Sequence, residues 1–170
     1  FIRRQGQNGF TVTLVDAGGE RTMLSSRGAS ANVPELTEKL KSKLRSADML
    51  FISGYWMQTK AQAEFVIKAA KLCEGLTAFD PCPVVGNFDK SQLKELLQNV
   101  DILLPNEVEY EFLKQEQDIS GIPCIAVKMG SRGAKLSHKG REYEQPAKQA
   151  EAVDTTGAGD GFVAGLLRGL

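Results

Sequence analysis

Apolar and polar residues alternate along Thr11-Val-Thr-Leu-Val-Asp16, and the pattern resumes at Arg21-Thr-Met-Leu24 after the pair Gly18-Gly19, which predicts a short β-hairpin. From Pro34 to Leu44, the apolar Leu36, Leu40 and Leu44 recur every four residues among Glu and Lys. That spacing predicts an amphipathic helix with Pro34 near its start. Asp48-Met-Leu-Phe-Ile-Ser53 reads as a compact strand closed by Gly54, and Ala61 to Cys73 has helical periodicity through Phe65, Ala69 and Leu72. Leu76-Thr-Ala-Phe79 predicts another strand, stopped by Asp80-Pro81. A helix capped by Ser91 then carries Leu93, Leu96 and Leu97, and the strand Asp101-Ile-Leu-Leu104 ends at Pro105. Two more β segments, Ile122 to Lys128 and Ala134 to Ser137, precede a polar connection and a Gly-rich run feeding a helix over Phe162 to Leu170.

Strands spaced by helices predict an α/β fold, a mostly parallel sheet covered on both faces. The hairpin lacks the continuous apolar character of a central parallel strand, so it is expected to form a small β flap beside the sheet. No internal repeat or low-complexity tract divides the chain.

Composition narrows the classes. The chain has 170 residues, 42% hydrophobic and 25% charged, with 21 basic against 21 acidic residues. It is long enough to bury a core, and no apolar run approaches the roughly 20 residues of a membrane span. Zero net charge and no basic run beyond Arg3-Arg4 argue against a nucleic-acid partner. Cys73, Cys82 and Cys124 are odd in number and lack CxxC spacing, which fits a reducing, cytoplasmic setting better than a disulfide framework or thiolate zinc site. The 17 glycines follow no collagen-like period and are expected to serve individual backbone positions.

Chemistry concentrates in three places. In Asp154-Thr155-Thr156-Gly157-Ala158-Gly159-Asp160 the small residues let backbone N–H groups face an anion at the positive end of the following helix, with Thr155 and Thr156 adding hydroxyls. Asp160 would repel a phosphate, a conflict removed if it acts as a general base toward a hydroxyl; helix-start stabilisation is an equal alternative on composition alone. Asn106 and Glu109 follow a strand end, where open α/β sheets gather ligands, and a carboxylate there can hold Mg²⁺ directly or through water. An ordinary acidic first turn is the plainer account of that pair. Lys128-Met-Gly130-Ser-Arg-Gly133 also sits at a strand end, where Gly130 and Gly133 can approach a nucleotide and Lys128 its phosphates, with a tight hairpin turn as the rival account. Neither GxxxxGK[ST] nor a strand-linked GxGxxG is present. Tyr55-Trp56 can line a ligand at a strand end, although packing against the next helix is preferred, and His138 is read as a surface-turn residue.

Taken in order, these motifs resemble the PfkB, or ribokinase-like, family of carbohydrate and nucleoside kinases. The resemblance spans nearly the whole chain and includes residues 11–24, which resemble part of that family's β lid. It implies a ribokinase-like fold and ATP- and Mg²⁺-dependent phosphorylation of a hydroxyl on a sugar-like small molecule. Asp160 would be the catalytic base, and Gly157, Ala158 and Gly159 an anion hole. Asn106 and Glu109 would organise Mg²⁺ and phosphates, while Lys128, Gly130, Gly133 and Thr155 would approach the nucleotide. Asp80 resembles a strand-end acidic position that supports the metal, ranked below Glu109. Asp154 and Thr156 resemble a monovalent-cation loop used by some members, K⁺ for example, with loop stabilisation an equal role. The resemblance allows a homodimer through the lid, and it involves neither nucleic acid nor membrane. Family members carry further sequence at both ends and a longer crossover before the Ile122 strand, so residues 1–170 read as an incomplete kinase domain. A nucleoside kinase of the same family, or a truncated, non-catalytic nucleotide-binding protein, remains the alternative.

Overall fold

The computed structural model describes residues 6–16, 21–150 and 155–169. The Gly18-Gly19 turn and Asp154 lie outside the described residues. Two compact units result, Phe1–Thr37 and Glu38–Leu170.

In the first unit, β1 (Phe10–Val15) pairs antiparallel with β2 (Arg21–Ser26), Val12 opposite Leu24, as the alternation predicts. Residues opposite one another share a face, so Phe10, Val12, Leu14 and Leu24 form one apolar face, each 46% to 59% exposed.

The second unit holds α1 (Glu38–Arg45), β3 (Met49–Ser53), α2 (Lys60–Leu72), β4 (Leu76–Asp80), α3 (Lys90–Leu97), β5 (Ile102–Leu103), α4 (Glu107–Glu116), β6 (Cys124–Lys128), β7 (Ala134–His138), β8 (Arg141–Gln145) and α5 (Ala158–Arg168). The sheet runs β3-β4-β5-β6-β7-β8, parallel from β3 through β6 and antiparallel at β6–β7 and β7–β8. It is therefore a mixed sheet whose parallel part lies where the helical crossovers predict it. Successive strand residues point to opposite faces, and both faces are covered. Ile52, Phe79, Leu103, Ile125 and Val127 pack with Val66 and Ile67 of α2, Leu93 and Leu96 of α3 and Leu113 of α4. On the other face Ala78, Ile102, Leu104, Cys124 and Ala126 pack with Val163 of α5.

Several boundaries differ from the sequence reading. Helix α1 begins at Glu38 instead of near Pro34: the leucine period was right, but Thr37, a residue type favoured just ahead of a helix, marks the start. Ser91 is not the cap of α3; Asp89 is, accepting the Ser91 and Gln92 amides at 3.0 Å. A carboxylate there also takes the Ser91 hydroxyl at 2.6 Å, so the serine supports the cap instead of forming it. The polar connection after β7 contains a strand, β8, whose residues are all exposed and so carry no apolar signature. Lys139 and Gly140, with φ of 49° and 75°, form the two-residue turn into it, as hairpins with positive φ at both positions do. His138 consequently lies at the end of β7 opposite Cys124 instead of in a surface turn, and its Nδ1 is buried without a hydrogen-bond partner. Helix α5 starts at Ala158 instead of Phe162, which puts Asp160 inside its first turn.

Candidate functional site

Because β3 to β6 are parallel, their C-terminal ends share one edge, the place where open α/β sheets bind ligands. The register aligns the candidates there: Ser53 stands opposite Asp80, and an isolated parallel bridge joins Asn106 to Lys128. Gly54 permits a close approach on this edge, since a Cβ on it would lie 1.9 Å from the Pro81 carbonyl oxygen.

Asn106 caps α4 in a reciprocal box with Glu109. The Glu109 N–H donates to Asn106 Oδ1 at 2.8 Å, while the Asn106 N–H and side-chain amide donate to Glu109 Oε2 and Oε1, each at 2.8 Å. Glu109 is only 4% exposed. Burial pushes its carboxyl above the ordinary range; the Asn106 N–H and the Lys128 charge oppose that shift, and the Asp80 charge adds to it.

Asp80 and Lys128, treated separately in the sequence reading, are a pair: Lys128 Nζ lies 2.6 Å from Asp80 Oδ2, with side chains 16% and 10% exposed for Lys128 and Asp80. The other oxygen, Asp80 Oδ1, accepts the Cys82 N–H at 3.1 Å. Cys82 holds φ of 60°, and its thiol lies 3.5 Å from the Ser53 hydroxyl. Burial pushes that thiol up, against the lowering Ser53 contact. No sequence signal could have found the Asp80–Lys128 pair, because its members lie 48 positions apart and on strands separated by β5.

Tyr55 and Trp56 part company. Trp56 packs on Phe65 of α2, ring centroids 5.9 Å apart, and joins the core as expected. Tyr55 is 53% exposed at the strand-end edge. Partial burial, then the electrostatic influence of Cys82, Glu109, Asp160 and Asp80, raise its pKa, so it stays a neutral O–H donor. That shared influence brings Asp160, in the first turn of α5, into the same field as Glu109 and Asp80.

Gly157 precedes α5 in the left-handed region at φ 77°, and Cβ atoms added at Gly157 or Gly159 would meet nothing within 4 Å. First-turn amides find no acceptor within their own helix. Of the expected anion-hole residues, Ala158 already donates its amide to the Thr155 carbonyl at 3.2 Å. Thr155 and Thr156 are exposed immediately before the helix. The turn after β6 separates its two glycines: Gly130 (φ 59°) has open space around it, whereas a Cβ on Gly133 (φ 102°) would lie 1.9 Å from the Gln145 carbonyl oxygen. Gly133 is therefore a packing requirement, and Gly130 is the position open to a ligand. Arg132 of this turn pairs with Glu107 of α4.

Among the described residues, no three His, Cys, Asp or Glu side chains cluster as a self-sufficient metal site. Mg²⁺ commonly needs less, being held by one or two carboxylates with water and phosphate. Glu109 fits that demand, because each of its oxygens accepts one N–H and keeps lone pairs for water or an ion. A cleft of about 670 Å³ opens at the opposite end of the strands, lined by Gly75, Thr77, Asp101 and Gly121, and contains none of the candidate residues. Among the described residues no helix is long and apolar enough to cross a membrane.

A family model described as pfkB family carbohydrate kinase matches residues 1–170. An uncharacterized sugar kinase of Archaeoglobus fulgidus is 29% identical over 99% of this chain and 70% of its own length. An ATP-dependent ribose-1-phosphate kinase of Halopiger xanaduensis is 31% identical over 98% of this chain and 55% of its own length. Among solved structures, a ribokinase from Thermotoga maritima superposes with a TM-score of 0.75 at 28% identity, covering 95% of this chain and 56% of that one. The α/β architecture is thus the ribokinase-like one expected from the motifs, and the chain spans little more than half the length of the Halopiger and Thermotoga proteins.

Proposed function

The chain belongs to the pfkB family of carbohydrate kinases, and on that premise we propose that the protein transfers the γ-phosphoryl group of ATP, with Mg²⁺, to a hydroxyl of a sugar-like small molecule. The observations that carry this reading are the Asn106–Glu109 cap at the strand-end edge and a helix start that pairs an open Gly157 with the Asp160 carboxylate, which acts on Tyr55 as Glu109 does. Asp160 accepts the acceptor hydroxyl's proton as its oxygen attacks the phosphorus. The Gly157 and Gly159 amides, on either side of Ala158, face the charge on the transferring group, and Gly130 lets the nucleotide approach the turn after β6. Thr155 adds a hydroxyl beside the same helix start. Glu109 and Asn106 would hold Mg²⁺, which would supply charge neutralisation to the phosphate oxygens.

Residues 11–24 belong, in this reading, to the family's β lid. The exposed face of Phe10, Val12, Leu14 and Leu24 supports that role and a homodimer through the lid. A monovalent-cation loop at Asp154 and Thr156 is part of the same proposal. The test is phosphoryl transfer by the full-length protein with ATP and Mg²⁺ across sugars, sugar acids, sugar phosphates and nucleosides. Transfer to one class, abolished by Asp160→Asn, supports the reading; nucleotide binding without transfer to any of them favours a non-catalytic binding protein.

A further inference from the structure

Lys128 opens the turn assigned to the nucleotide, and a free ammonium there is a natural phosphate ligand. In the structure its ammonium lies 2.6 Å from Asp80 Oδ2, and both side chains are largely buried. Strand β5 runs between β4 and β6, so the lysine arm crosses the end of β5 to reach the aspartate. Beneath that crossing lies Leu104, which is fully buried and directed to the same face of the sheet as Asp80 and Lys128. Each end of the strap is tied to a turn. Asp80 Oδ1 takes the Cys82 N–H at 3.1 Å, and the Lys128 N–H donates to the Pro105 carbonyl at 2.8 Å, next to the Asn106 cap. One residue on, the Met129 N–H donates to the Gly133 carbonyl at 2.9 Å and closes the turn.

We infer that Asp80 and Lys128 form a positioning pair that straps the ends of β4 and β6 across β5 and sets the Cys82 turn, the Asn106–Glu109 cap and the Gly130–Gly133 turn in register. They do not serve separately as a metal ligand and a phosphate ligand. Electrostatics supports this assignment: a phosphate that drew Lys128 away would leave the buried Asp80 carboxylate alone within the field of Glu109. The pair therefore persists when the nucleotide arrives. Its kinetic consequence rests on the kinase reading above.

A double-mutant cycle in the full-length protein decides the matter: Asp80→Asn, Lys128→Met, both together, and Lys128→Arg as the conservative variant. Measurements are kcat, the KM for ATP, Mg²⁺ dependence and urea midpoints. A positioning pair predicts that each single change lowers kcat by similar factors, about 10- to 100-fold, since a small misplacement of reacting groups costs that much. The KM for ATP should move less than about threefold, the double variant should be no worse than either single one, and Lys128→Arg should recover most of kcat. A tenfold or larger rise in the KM for ATP with Lys128→Met alone would overturn the inference, as would a change in Mg²⁺ requirement confined to Asp80→Asn. Multiplying losses in the double variant would overturn it too. If a single variant fails to fold, recovery of folding in the double variant, which leaves no unpaired charge, supports the pair, and continued failure counts against it. Absence of transfer by the unchanged protein counts against the kinase reading alone. The pair is then judged on urea midpoints, where additive losses overturn it and non-additive ones uphold it.

Discussion

Asn106 and Glu109 hold each other through three hydrogen bonds of 2.8 Å, so the cap that starts α4 and the buried carboxylate of the candidate site are one structure. Glu109 is thereby held in one orientation before any ligand binds, and its role in capping cannot be separated from the role proposed for it toward a metal.

Asn106→Ala removes the acceptor for the Glu109 amide and one donor to a buried carboxylate. A lost cap and a less satisfied buried group together should cost about 2 kcal/mol. Urea unfolding of wild type and variant measures it; a loss under about 0.5 kcal/mol would show that the cap is dispensable.

Burial holds the Glu109 carboxyl above its ordinary value of 4.5. Between 4.5 and that raised value the folded state binds more protons than the unfolded chain. The contribution of this group to stability is therefore complete below 4.5, falls as pH rises through the window, and is constant above it. Relative to Glu109→Gln, the wild type should lose stability as pH rises from below 4.5. Urea midpoints across a pH series should show that slope, and an opposite slope would refute the assignment.

Asp160→Asn in the full-length protein should lower kcat by about 10² to 10⁴, the range of general-base contributions. Binding of MgADP, followed by calorimetry, should change less than about threefold, because Asp160 faces the acceptor in this assignment. Unchanged turnover would remove its role as the base.

Gly130→Ala carries the strain of φ 59°, about 1 kcal/mol, and Gly133→Ala a larger one, because φ 102° with ψ −131° suits glycine alone. Only Gly133→Ala also forces a Cβ onto the Gln145 carbonyl, 1.9 Å away. Thermal melts should rank Gly133→Ala well below Gly130→Ala, whereas nucleotide affinity should suffer from Gly130→Ala despite its milder melt.

The adjacent aromatic residues should separate in the same way. Trp56→Ala opens the core against Phe65 and should cost about 3 kcal/mol, while Tyr55→Ala should stay within about 0.5 kcal/mol. Equal losses in chemical denaturation would contradict their different surroundings.

Much of this was legible in the sequence. The continuous apolar runs at Leu76–Asp80 and Cys124–Lys128 became buried parallel strands, and Leu93, Leu96 and Leu97 became the buried face of α3, because periodicity reports burial directly. Strand β8 was missed for the same reason: Arg141–Gln145 buries nothing. At the site, Asn106 and Glu109 were visible as a spacing, since a capping box is a local motif. The Asp80–Lys128 strap was not visible, because it depends on which strands become near neighbours in the sheet. Tyr55 was assigned to packing because composition cannot say which of two successive aromatics turns inward.

The open Gly130 and the tight Gly54 and Gly133 lie at one end of the sheet, just beyond β3 or β6. The hydrophobic layer built on Phe79, Leu103 and Ile125 reaches that end through Met57 after β3 and Val85 after β4, both buried. The same segments thus carry core packing and, in the proposed reading, contact with ligands. Loops replaced there to suit a new acceptor would have to keep Met57, Val85 and Gly133 while changing exposed positions such as Tyr55.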